Sequence, residues 1–150
     1  MTTAGASRRL LALLLGGLAV TGCADAPVDL NVADGGFTDG TFNGRSAADD
    51  QGATGEATIT IKGDDVTSVD FRIRDSNGSV RGVDYGKTNG EIVSQETYRR
   101  AQVGARAGDD YAASLVETDD LNAVDAITGA SLTYRLFTGA VEDALTQASR

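Results

Sequence analysis

Two runs of strict alternation stand near the middle of the chain. Between Glu56 and Lys62, Ala57, Ile59 and Ile61 fall on one side and Thr58 and Thr60 on the other. Between Val66 and Arg74, Val69, Phe71 and Ile73 oppose Asp70, Arg72 and Arg74. A period of two is that of a strand with one buried face. Gly63-Asp64-Asp65 between the runs suits a tight turn, so the pair is predicted as a hairpin. Upstream, Asp39-Gly40-Thr41-Phe42-Asn43-Gly44 reads as a turn into another short strand. Downstream the period changes. Leu132, Leu136, Phe137, Ala140, Val141, Ala144 and Leu145 recur at i, i+3, i+4 spacing, which predicts a C-terminal helix from about Ser131 to Ala148. Gln95 to about Arg106 reads as a helix, with Tyr98, Ala101, Val103 and Ala105 as its less polar positions. Asp110 to Glu117 reads as a separate short one, and Asp84 to Gly90 as a loop. The fold class expected is α+β: an antiparallel β-sheet with helices packed on one face.

The N-terminus has a different pattern. Arg8 and Arg9 precede an apolar run, Leu10 to Val20, interrupted only by Gly16 and Gly17. A spanning helix needs roughly 20 apolar residues, so this run fits the h-region of a signal peptide instead. Val20-Thr21-Gly22-Cys23 resembles a bacterial lipobox, in which the cysteine is lipidated and becomes the first residue. Cys23 is the only cysteine, and lipidation accounts for an unpaired thiol in an exported chain. Ser7-Arg8-Arg9-Leu10-Leu11 also resembles a twin-arginine signal, which leaves Sec and Tat export both open. The organisation expected is a lipoprotein signal peptide over 1–22, the lipidated Cys23 and a flexible tether over 23–36, and one domain over 37–150. A dozen flexible residues reach roughly 20 Å, enough to lift the domain clear of a membrane surface. The location implied is the cell membrane, lipid-anchored, on the extracytoplasmic face.

Cleavage removes Arg8 and Arg9 and takes the formal charge from −9 to −11. So acidic a domain is a poor partner for nucleic acid, whose phosphates call for Lys and Arg. Aspartate pairs at Asp49-Asp50, Asp64-Asp65, Asp109-Asp110 and Asp119-Asp120 suit turns and helix caps. Asp75-Ser76-Asn77-Gly78 begins like a calcium loop but lacks the later ligands, so it reads as a turn and no metal site is expected. The chain has no histidine. Ser-His-Asp and Cys-His machinery and ordinary zinc sites are therefore excluded. No Walker loop or Rossmann glycine fingerprint appears. No catalytic residues are nominated, and any chemistry falls to a cofactor.

One segment supplies a candidate. Asp125-Ala126-Ile127-Thr128-Gly129-Ala130-Ser131 places a hydroxyl, Ser131, behind two small residues at the start of the last predicted helix. Unpaired N–H groups and the positive end of the helix dipole make such a start a good seat for a phosphate. The pattern Asp-x-x-Thr-Gly-Ala-Ser resembles the flavinylation motif of the FMN-binding domain family. The order of features is also similar: a Gly-Thr-Phe-x-Gly opening at Gly40–Gly44, a hairpin, a helical middle, the motif and an apolar final helix. The likeness spans roughly Asp39 to Leu145. Asp84-Tyr85-Gly86-Lys87 and the Phe137, Val141, Leu145 ending resemble most the membrane-anchored lipoproteins linked to extracellular electron transfer.

The resemblance implies FMN held through a phosphoester on Ser131, where threonine is commoner. It implies an FAD-dependent FMN transferase for maturation and a membrane redox partner. Asp125, Thr128, Gly129 and Ala130 then belong to the site: the two small residues leave room for the transferase, and Asp125 serves its Mg²⁺ or the turn. The isoalloxazine ring needs an apolar or aromatic surface, for which Tyr85, Tyr134 and Tyr111 are candidates. Lys87 is a candidate for its polar edge. The function expected is electron carriage rather than stand-alone catalysis. Two other readings remain: a cofactor-free binding or structural envelope lipoprotein, and a flavin-dependent reductase that relies on a partner for its substrate domain.

Overall fold

The structure is a computed structural model and describes residues 30–149. The expected signal peptide and Cys23 lie outside the described residues. Three strands, β1 (Gly40–Arg45), β2 (Thr54–Lys62) and β3 (Asp65–Arg74), form one antiparallel sheet in the order β1-β2-β3. Two helices, α1 (Gln95–Thr118) and α2 (Ser131–Ala148), cover one face of it. The fold is α+β.

The alternation seen in the sequence becomes the two faces of the sheet. In β2, Gly55, Ala57, Ile59 and Ile61 are buried under the helices, while the residues between them reach the opposite face. That opposite face is polar. Thr41 and Thr60 share a hydrogen bond of 3.1 Å, Thr58 donates to Asn43 at 2.8 Å, and Glu56 takes a fork from Arg74 at 3.0 Å. An antiparallel sheet with one solvated face is stable in this way. The hairpin turns at Gly63 and Asp64, both with positive φ. The register slips by one residue at Thr60/Ile61, where Thr67 is the extra residue. The slip keeps Val66 on the buried face with Val69, Phe71 and Ile73.

Close approach of α2 to the sheet depends on two strand glycines. A Cβ on Gly44 would run into the Ala140 carbonyl, and one on Gly55 into the Leu136 carbonyl. The centre of the core is aromatic: Phe137 meets Phe71 edge-on at 5.2 Å and Tyr111 at 5.6 Å.

Two expectations are revised. The helices expected over 95–106 and 110–117 are one continuous helix of 24 residues. Gly104, Gly108 and the Asp109-Asp110 pair look like a break in a linear reading. In the fold, Gly108 is buried and lets Phe71 approach: a Cβ there would lie 2.9 Å from its ring. Packing thus overrides the low helix propensity of these residues. Ser94 caps the helix through Thr97 N–H, and Asp119 ends it in the left-handed conformation. The second revision concerns residues 30–36, read as tether. Val32 is wholly buried, its N–H donates to the Asp119 carbonyl at 2.7 Å, and Leu121 N–H donates to Leu30. This segment belongs to the domain.

Candidate functional site

The motif folds as a turn followed at once by a helix. Ala130 N–H donates to the Ile127 carbonyl at 3.0 Å, so Thr128 and Gly129 are the central residues of a β-turn. Gly129 has φ +85°, the value that the third position of a type II turn demands and a side chain resists. Ser131 is the first residue of α2 and is exposed. The preceding Ala130 is the N-cap and has no side chain able to accept from the first-turn N–H groups. The start of α2 therefore offers a hydroxyl beside uncapped donors, which is how a phosphate is held.

What holds the turn is Tyr111. Its side chain is fully buried, and its hydroxyl accepts from Ile127 N–H at 2.9 Å and donates to the Ala130 carbonyl at 3.4 Å. Thr133, also buried, donates to the Gly104 carbonyl at 2.9 Å and ties the first turn of α2 to α1. Gly129 packs near Val103 of α1. Asp125 is exposed, and the turn is held from the other side by Tyr111.

The four tyrosines divide. Tyr134 is half-buried one turn along α2 and meets Tyr111 edge-on at 5.5 Å. Tyr111 serves the core and the turn. Tyr85 belongs to another cluster, with its ring 4.7 Å below the Arg81 guanidinium. Arg81 is itself buried; it bonds Asp75 at 2.7 Å and lies 3.9 Å from Asp49. That distance leaves Asp49 Oδ2 without a hydrogen bond. Burial works against ionisation of Asp49. The N–H groups of Ala53 and Gln51, with Arg81 and Arg135, outweigh it and hold the carboxyl below its ordinary range. Lys87 pairs with Asp84 at 2.7 Å, which raises its pKa, and lies 6.0 Å from the Tyr98 ring.

Tyr98 and Gln102 were not among the sequence candidates. Tyr98 donates to the Val83 carbonyl at 3.0 Å, and Gln102 donates to Tyr85 at 2.9 Å and Gly82 at 3.2 Å. They fasten residues 82–85 to α1. Their signal in sequence was weak, because a tyrosine and a glutamine in a polar helix have no distinctive spacing. On the surface of α1, Tyr98, Arg99, Gln102, Val103 and Arg106 line a shallow hollow of about 310 Å³. A wider one, about 750 Å³, opens between β3 and α1. The shallow hollow is the better neighbour for Ser131, because Val103, in its lining, is also the residue nearest Gly129.

Among the described residues no three His, Cys, Asp or Glu side chains gather to hold a metal, and no helix is long and apolar enough to cross a membrane. Asp75 to Ser79 forms a turn, with Gly78 N–H on the Asp75 carbonyl at 2.8 Å.

A family model described as the FMN-binding domain matches residues 51–146. The crystal structure of the CPE2226 protein from Clostridium perfringens is similar at a TM-score of 0.58. It is 20% identical, and the match covers 75% of this chain and 88% of that one, a likeness of fold alone. No curated protein matches the sequence.

Proposed function

The chain belongs to the FMN-binding domain family, and on that premise we propose that it is a lipid-anchored electron carrier holding FMN covalently on Ser131. One observation carries the reading: within the matched region, the exposed hydroxyl of Ser131 opens a long helix that has no side-chain cap, directly after a glycine turn fixed from below by a buried tyrosine. The residues fit the group. Ser131 supplies the oxygen, the uncapped first turn of α2 supplies N–H donors to the phosphate, and Val103, Tyr98 and Gln102 offer a surface to the ring.

Attachment is a phosphoryl-type transfer. Ser131 Oγ attacks the FMN-side phosphorus of FAD; the Oγ–P bond forms, the pyrophosphate bond breaks, AMP leaves and the serine proton is lost. An FAD-dependent FMN transferase supplies the catalysis. Gly129 and Ala130 keep the approach to Oγ open. Thr128 stands at the exposed first corner of the turn, and Asp125 is exposed close by for the transferase to engage. Bound flavin supplies one- and two-electron exchange. The chain contributes the covalent hold, which prevents loss of the cofactor outside the cell, and the surface through which electrons pass. Lipidated Cys23 and the residues up to 29 form the tether, shorter than the one first read from the sequence. They keep the domain at the extracytoplasmic face, within reach of a membrane redox partner.

The test is co-expression with an FMN transferase, followed by a denaturing gel viewed for flavin fluorescence. Wild-type and Ser131→Thr protein are expected to fluoresce and Ser131→Ala protein to be dark. Fluorescence on the alanine variant would remove Ser131 from the assignment, and a dark wild type would remove covalent flavin.

A further inference from the structure

The helix beside the motif is electrically divided. From Gln95 to Arg106, α1 carries Arg99, Arg100 and Arg106 against Glu96 alone. From Asp109 to Asp120 the chain carries Asp109, Asp110, Glu117, Asp119 and Asp120 and no cation. The Arg99 and Arg100 side chains are 73% and 79% exposed, and both lean on the single Glu96 carboxylate. One guanidinium of the pair is thus left without a matching charge. Arg106 makes no ion pair among the described residues. On the adjoining segment Asp84 is matched by Lys87, and Glu91 is the remaining carboxylate.

The same end is unusually apolar for a domain of this charge. Val83 and Val93 are 75% and 76% exposed, and Ile92 and Val103 are also exposed. Tyr98 holds Val83 to α1, Ile92 and Val93 directly precede its N-cap, and Val103 lines one hollow with Arg99 and Arg106. Exposed apolar side chains beside unmatched charges mark an interaction site.

We propose that this end of the molecule is its electron-exchange surface, and that it receives a redox partner whose own centre is ringed by acidic side chains. The inference rests on flavin at Ser131, beside Val103. Its physical basis is screening. Arg99 and Asp110 are about 16 Å apart along the helix at 1.5 Å per residue. The Debye length is about 8 Å at physiological ionic strength. A partner docked at the N-terminal end of α1 therefore meets Arg99 and Arg100 with the acidic half beyond a Debye length, while Arg106, three residues before Asp109, marks the boundary. The two halves of α1 together turn an acidic-rimmed partner toward the flavin and repel it elsewhere.

The first experiment needs no flavin. The mature domain, made without the transferase, is titrated in NMR with two paramagnetic ions of opposite sign, hexacyanochromate(III) and hexaamminechromium(III). The anion is expected to broaden amides from Val93 to Val103, and the cation those from Asp109 to Asp120. Arg99→Gln with Arg100→Gln, both on exposed side chains, is expected to abolish the anion's effect. An anion that ignores this end, or broadens it equally in the double variant, overturns the proposal. So does preferential protection of this end by anionic phospholipid vesicles, which would make it a membrane face.

The second experiment uses flavin-loaded protein. Each hexacyanoferrate(III) takes one electron and becomes hexacyanoferrate(II). Two are consumed per two-electron-reduced flavin anion, whose N5 proton passes to buffer. The double variant is expected to slow this oxidation by about threefold to tenfold at low salt, with the difference closing as salt rises. An unchanged rate counts against the surface. Flavin missing from wild-type protein that still binds the anion at this end would instead refute the attachment to Ser131.

Discussion

Removing one oxygen from the core should loosen the flavin-attachment turn. Tyr111→Phe leaves the ring in place against Tyr134 and Phe137 and deletes only the hydroxyl that joins Ile127 N–H to the Ala130 carbonyl. The two bonds are unequal. The 2.9 Å bond from Ile127 is of ordinary strength, whereas the 3.4 Å bond to Ala130 is at the limit of useful length. Loss of a neutral hydrogen bond costs about 0.5–1.5 kcal/mol, and an orphaned buried donor about 1–3 kcal/mol. Ile127 is half-buried, so water can partly replace the partner. A cost of about 1–2 kcal/mol follows. At this size each kcal/mol corresponds to roughly 3–5 °C in Tm, so thermal unfolding should move down by about 3–10 °C. The turn should also open more often. Time courses with limiting transferase should show slower flavin attachment for Tyr111→Phe, with full loading still reached at excess enzyme. A Tm within about 1 °C of wild type, together with an unchanged time course, would refute the role given to this hydroxyl.

The two helix glycines should respond to alanine with opposite signs. A Cβ on Gly104 finds Thr133 Oγ1 at an ordinary 3.5 Å, so Gly104→Ala should stabilise by about 0.5–1 kcal/mol through helix propensity. Gly108→Ala meets the Phe71 ring at 2.9 Å, and overpacking of about 1–3 kcal/mol should cancel or exceed the same gain; urea denaturation of both variants checks this. Arg81→Met should cost about 2–4 kcal/mol, because it strands Asp75 and Asp49, and hydrogen exchange should rise at residues 82–87 as Tyr85 loses its cover. The Arg74 fork holds the Glu56 carboxyl below its ordinary range, so its contribution is fully present above the usual carboxylate pKa and is lost as pH falls through the depressed value. Glu56→Gln should therefore lower stability at neutral pH by about 0.5–1.5 kcal/mol and flatten the loss of stability on acidification, read by chemical denaturation at several pH values.

The parts of the fold that were legible in sequence are those with a single dominant periodicity. The β2–β3 hairpin and α2 each bury one face against one partner, so burial is written directly into spacing. The motif stood out for a different reason: its residues resemble a family pattern, and its hydroxyl opens a helix whose apolar spacing is plain. The middle of α1 was misread because Gly108 is explained by Phe71, a residue 37 positions away that no local pattern connects to it. Val32 was hidden in a polar, Gly- and Asp-rich stretch whose composition resembles a linker, although its N–H is paired with Asp119. Tyr111 could not be told from Tyr85 and Tyr134 as a candidate for the flavin ring; its partners, Ile127 and Ala130, lie 16 and 19 residues on. Long-range pairing of this kind decides which tyrosine faces a ligand and which faces the core.

The central claim is that Ser131 carries the flavin, and peptide mass spectrometry of protein purified from its native membrane tests it most directly. No Lys or Arg lies between Arg106 and Arg135, so trypsin releases residues 107–135 as one peptide containing the whole motif. That peptide should be heavier than its sequence by FMN less one water, with fragment ions placing the addition on Ser131. An unmodified 107–135 peptide from a fully recovered native protein, or an addition placed on Thr128 or Thr133, would contradict it.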